Sequence, residues 1–150
     1  MITGSSSGNT SSSGASTAAF NHLLFYNGNG IVGSISTSGT ATSYTTSSDY
    51  RLKEDLKEIN GLEKVSAIKV YDFKWKASDE RNDGVLAHEL AEVLPYAVTG
   101  EKDAERMQAV DYSKIVPINT KAIQELYLLV QEQQAQIEAQ QQQINSLINR

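Results

Sequence analysis

The chain has no cysteine at all among its 150 residues. Disulfides and thiolate metal sites are therefore excluded, and the redox compartment leaves no mark on the sequence. Proline occurs only twice and tryptophan once. No stretch approaches the roughly 20 apolar residues of a membrane span, so no membrane partner is expected. The opening MITGSSSGNT has neither the basic nor the apolar region of a signal peptide. Met1 is accordingly expected to mark an artificial start or a cut from a longer chain. Two well-separated histidines, His22 and His88, make no metal site, and none is expected. A net charge of −5 argues against the nucleic-acid backbone as a partner. The most informative absence is local. Up to Ser48 there is no Asp, Glu, Lys or Arg, and every such residue lies from Asp49 onward.

What fills the first 48 residues is Ser, Thr, Gly and Asn, about two-thirds of the total. Residues 1–19 bury too little apolar surface to offset their ordering entropy. Composition favours a flexible linker for 1–16; the competing reading is a narrow intertwined fibre in which small residues let three chains approach closely. Residues 20–46 differ. Phe20, Leu23, Leu24, Phe25 and Tyr26 precede Asn27-Gly28-Asn29-Gly30, and Asn-Gly predicts a type I′ hairpin turn. Ile31 to Ile35 reads as a strand, Ser38-Gly39 as a second turn, and 40–46 as β-prone. Such short, polar strands make no monomeric core, so a β-structure that takes its core from neighbouring chains is expected.

After Ser48 the texture becomes that of a small α+β body. Leu52, Leu56 and Ile59 recur at helical spacing and predict a helix stopping at Asn60-Gly61. Leu62, Val65 and Ile68 predict a second. Tyr71, Phe73 and Trp75 alternate with charged residues as in a half-buried strand. Residues 78–84 read as a polar turn, Val85-Leu86-Ala87 as a short strand, and the segment through His88, Leu90 and Leu94 as a helix ended by Pro95. Ala97-Val98 and 107–110 suggest a hairpin. A long helix is expected from about 113 to the end, with Pro117 near its start. Its heptad places Ile123, Val130, Ile137 and Ile144 at a, and Leu126, Gln133, Gln140 and Leu147 at d. That spacing favours a coiled coil over a solvated Gln-rich tail, and β-branched a positions leave a trimer within reach.

Four blocks occur in order: Ser48-Asp49-Tyr50-Arg51-Leu52-Lys53, Tyr71-Asp72-Phe73-Lys74-Trp75-Lys76, Gly84-Val85-Leu86-Ala87-His88-Glu89-Leu90, and Val110-Asp111-Tyr112. Together they resemble the C-terminal intramolecular chaperone domain of phage tail fibres, endosialidase tailspikes and neck appendages, peptidase family S74. The resemblance covers about 49–150. It implies an α+β unit, needing no cofactor, that forms a homotrimer through its long C-terminal helices. It implies that the unit aligns the upstream tail-fibre domain of the same chain and then cuts itself away. The organisation expected is a β-structured fibre end at 1–47 and a chaperone at 48–150, its body at 48–112 and its helix at 113–150. The fibre part would join the virion tail, and the fragment would be released in the host cytoplasm.

By the same resemblance Ser48 is the nucleophile, Lys53 its general base, and the bond between Ser47 and Ser48 the one cut. The residue chemistry agrees. A serine hydroxyl needs an adjacent base, and a lysine serves once desolvation disfavours its ammonium. The bland alternatives are a Ser48 that caps a helix and a Lys53 that is solvated. His88 and Glu89 are candidate auxiliaries, since His88 stands where the family has His or Gln. Asp49 is expected to favour a helix start and Arg51 to pair with a carboxylate and hold the turn. The trimer interface is assigned to Ile123, Leu126, Val130, Ile137, Ile144 and Leu147. Two other functions fit the same sequence: a trimerisation domain that is never cut, and a host-receptor-binding fibre tip.

Overall fold

A computed structural model describes residues 17–149; the expectations for 1–16 lie outside them. The chain is mixed α+β, with three small antiparallel sheets and a long C-terminal helix. It divides into two compact units, one ending at Leu56 and the other starting at Lys57.

The first unit is a three-stranded meander: β1 (Phe20–Asn27), β2 (Gly30–Ser38) and β3 (Ala41–Thr46), in that order across the sheet. The turn after β1 is tight, as the sequence predicts, but it is not type I′. That type needs positive φ at both central residues, whereas here the positive φ, 91°, falls on Gly30. Asn27 Oδ1 instead accepts the Asn29 N–H at 2.8 Å, and the register slips between Phe25 and Tyr26. A turn followed by a glycine in the left-handed region, with a bulge, gives a hairpin of this kind. Neither face of the sheet becomes a core. Phe20, Leu23, Leu24, Phe25, Tyr26 and Ile31 each keep 39 to 64% of their surface exposed.

The first predicted helix is absent. Tyr50–Leu52 make a single 3₁₀ turn, Lys53 is extended, and Asp55 has φ 52°. Leu52 and Leu56 find no surface to pack on and stay exposed. Asn60-Gly61 starts a helix rather than stopping one. Asn60 is extended and its side chain accepts the Glu63 N–H at 3.0 Å, capping α1 (Gly61–Ala67). Strand β4 (Tyr71–Lys74) pairs with β5 (Arg81–Gly84), which occupies the expected polar turn; Val85 and Leu86 are the link into α2 (Ala87–Val93), not a strand. The expected hairpin is present as β6 (Val98–Thr99) with β7 (Ala109–Val110). After a 3₁₀ turn at Tyr112–Lys114, α3 runs Val116–Ile148 with Pro117 in its first turn.

The core is small. Leu90 on α2 and Leu94, the residue just past its end, are fully buried against Ala97 and Ile118, with Val65, Ile68, Val85 and Val110 around them. Helix α1 crosses α3 so closely that a Cβ on Gly61 would lie 2.3 Å from the Ala122 nitrogen. Glu125 of α3 then takes the free Gly61 and Leu62 N–H groups at 3.1 and 2.8 Å. Those backbone donors, Leu62 first, hold the Glu125 carboxyl below its usual range.

Candidate functional site

The segment from Thr46 to Lys53 lies within the first unit. Strand β3 ends at Thr46, yet the sheet bonding continues by one residue: the Ser47 N–H donates to the Val32 carbonyl at 3.0 Å. Ser47 is thus tied to the three-stranded sheet, and the charged sequence begins two residues later. The backbone then turns. Asp49 caps the 3₁₀ turn, and the Leu52 and Lys53 N–H groups donate to the Asp49 and Tyr50 carbonyls at 3.1 and 3.0 Å. The turn folds Lys53 back on Ser48, and Lys53 Nζ lies 2.6 Å from Ser48 Oγ. At that distance the ammonium donates to the hydroxyl, and a neutral amine accepts from it.

Asp49 and Arg51 make a bidentate pair. Arg51 Nε donates to Asp49 Oδ1 at 2.9 Å, Nη2 to Oδ2 at 2.8 Å, and the Arg51 N–H to Oδ1 at 2.8 Å. The guanidinium holds the Asp49 carboxyl below the usual carboxylate range. The carboxylate expected for Arg51 is therefore its neighbour two residues back. Ser48, Lys53 and the residues between them are all exposed in the single chain.

His88 and Glu89 lie on α2, in the second unit. His88 is half-buried and lines a hollow of about 400 Å³ with Glu101, Lys102, Arg106 and Gln108. Glu89 accepts the Tyr71 hydroxyl at 2.8 Å and pairs with Lys69 at 3.2 Å. The Tyr71 bond foremost holds the Glu89 carboxyl below its ordinary range. Alternation marks Tyr71 only as a core aromatic, because it says nothing of a hydroxyl whose partner is 18 residues away. Among the described residues no three His, Asp or Glu cluster as metal ligands, and no helix is long and apolar enough to cross a membrane. His22, in the sheet, bonds Thr37 Oγ1 at 2.8 Å.

Two comparisons with known proteins bear on this chain. Residues 48–99 match the family model described as the chaperone of endosialidase, and the match begins at Ser48. The chain is also 37% identical over 87 residues to the long tail fiber protein Gp37 of Escherichia phage AR1. That alignment covers 52% of this chain and 8% of the phage protein, so the chain corresponds to a small part of that relative's length. Residues 48–99 therefore carry an endosialidase-chaperone domain of peptidase family S74.

Proposed function

We propose that this chain is the end of a phage tail fibre, and that the part from Ser48 is an intramolecular chaperone that trimerises it. The chaperone then cuts itself off between Ser47 and Ser48. The observation that carries the cutting step is the 2.6 Å separation of Ser48 Oγ and Lys53 Nζ at the first residue of the family match.

In the proposed reaction Ser48 Oγ attacks the Ser47 carbonyl carbon, and its proton passes to Lys53 Nζ. The carbon–nitrogen bond breaks and Lys53 returns the proton to the Ser48 nitrogen. An ester now links the Ser47 carbonyl to Ser48 Oγ, beside a free amine. Water hydrolyses the ester, leaving a Ser47 carboxylate and restoring the Ser48 hydroxyl. The role of each group is that of a nucleophile activated by an adjacent base. Attack on the preceding carbonyl needs an enforced geometry. Ser47 is held from one side by the sheet and Ser48 from the other by the Asp49–Arg51 turn.

A lysine acts as a base only where water is withheld from its ammonium. Lys53 is exposed in the single chain, so the covering must come from neighbouring copies. The same copies would cover the apolar sheet faces and the a and d residues Ile123, Leu126, Val130, Ile137, Ile144 and Leu147, which are all about half-exposed or more. Cleavage then follows assembly. His88 and Glu89 are proposed to act on the site indirectly, Glu89 by anchoring α2 to Tyr71.

The test is expression of the full chain and of Ser48→Ala. The wild type is expected to yield a fragment whose first residue is Ser48, and the alanine variant to remain full-length and trimeric. A variant still cut at that bond would remove Ser48 as nucleophile. A wild type that stays whole yet trimeric would leave a permanent trimerisation domain.

A further inference from the structure

Ser48 and Lys53 are five residues apart, and an extended chain would separate their Cα atoms by roughly 17 Å. Their meeting depends on the turn at Tyr50–Leu52, and that turn has little to hold it. It is one short 3₁₀ element, a geometry of weak hydrogen bonds. Tyr50 and Leu52 are 82 and 63% exposed, so little apolar packing among the described residues fixes it. What closes it is the Asp49 carboxylate, which takes three donors from Arg51, one backbone and two guanidinium.

We propose that the Asp49–Arg51 fork is the positioning device of the cleavage site, setting the turn that brings Lys53 Nζ to Ser48 Oγ. This rests on the Ser48–Lys53 reading above. Asp49 and Arg51 are positioning residues and touch no reacting atom. The device needs both the planar fork and the acceptor on the backbone. Lysine at 51 keeps the charge but not the two parallel bonds. Asparagine at 49 keeps one acceptor for the Arg51 N–H but loses the ion pair.

The test is a cleavage time course of the full chain made by cell-free synthesis, with wild type and Ser48→Ala as reference. Arg51→Lys and Asp49→Asn should each cut about tenfold more slowly, less than the roughly 10²-fold that a 1 Å misplacement of a catalytic group can cost. Sedimentation should show the same trimer for both. The double variant should be no slower than the slower single, because the fork is broken only once. Raised salt should slow the wild type more than Asp49→Asn, since only the former has an exposed ion pair to screen. Rates within twofold of wild type, multiplied losses in the double variant, or equal salt dependence would each overturn the positioning role. A cut Ser48→Ala chain would instead overturn the Ser48–Lys53 reading beneath it.

Discussion

Lys53 reaches Ser48 through one turn of backbone, so the pair is a local device whose assembly depends on few residues. Local contacts are the kind a sequence discloses. The family resemblance pairs Ser48 with Lys53, whereas composition and spacing alone leave Ser48 a helix cap and Lys53 a solvated lysine; what the spacing adds is that one turn can join them. The Asp49–Arg51 pair was half legible, its function as a turn clasp expected and its partner not. The Glu89 bond to Tyr71 was not legible, because it joins α2 to β4 across 18 residues and depends on the path of the chain between them. If Lys53 is the base, Lys53→Met keeps the apolar stem and removes the chemistry. Cleavage should slow by about 10²- to 10⁴-fold, the usual worth of a general base, with the trimer intact. His88→Ala should slow it less, as befits a group that orients. Band intensities over time check both, and a Lys53→Met chain cut at the wild-type rate would move the base role to another group, with His88 the first to examine.

Helix α1 is the helix that Leu62, Val65 and Ile68 predict, but the signal at its start reads as the stop of a preceding helix that does not form, because its determinant lies elsewhere in the chain. Asn60-Gly61 reads locally as a stop, since glycine commonly follows a helix end. In the fold Gly61 is where α1 meets the α3 backbone at Ala122, and Glu125 supplies the acceptors for the first turn. Both partners are more than 60 residues away, so no local pattern could report them. The strand β5, Arg-Asn-Asp-Gly, was hidden for a related reason: a two-stranded exposed hairpin needs no apolar alternation. The long helix was legible because heptad spacing is a property of its own sequence, and the β6–β7 hairpin because its apolar ends bracket a charged loop. The crossing at Gly61 makes a firm prediction. In Gly61→Ala the new methyl meets backbone atoms that cannot rotate away, the nearest at 2.3 Å. Overpacking of this kind costs about 1–3 kcal/mol, which would lower the Tm of a unit this size by roughly 5–15 °C. Thermal melts followed by circular dichroism would show it, and an unchanged Tm would mean that α1 can slide along α3.

At the scale of the whole molecule, exposed large hydrophobic residues outnumber the buried ones among the described residues. Five hydrophobic residues are buried among those described, while the Phe and Tyr residues of the sheet and the apolar a and d residues of α3 keep 44 to 78% of their surface exposed. Partners that are copies of the chain would account for both surfaces at once, as a symmetric oligomer presents the same patches to itself. In the proposed trimer Ile123, Val130, Ile137 and Ile144 meet their copies, each burial worth roughly 1.5–3 kcal/mol. A single polar substitution at such a layer acts on three chains simultaneously. Ile137 is 58% exposed in the single chain and lies in the Gln-rich half of α3, away from α1, so replacing it disturbs no contact of the second unit's core. Ile137→Asp should therefore leave the folded body of one chain unchanged while weakening the trimer. It should also slow cleavage, although residue 137 is remote in sequence from Ser48, because the exposed Lys53 gains its covering only from assembled neighbours. Sedimentation and a cleavage time course on the same samples separate the outcomes. Slow cutting that recovers at high protein concentration, in step with the trimer fraction, is the expected result. A monomer that cuts at the normal rate would show that the Ser48 site is complete within one chain, and cleavage could not then report on assembly.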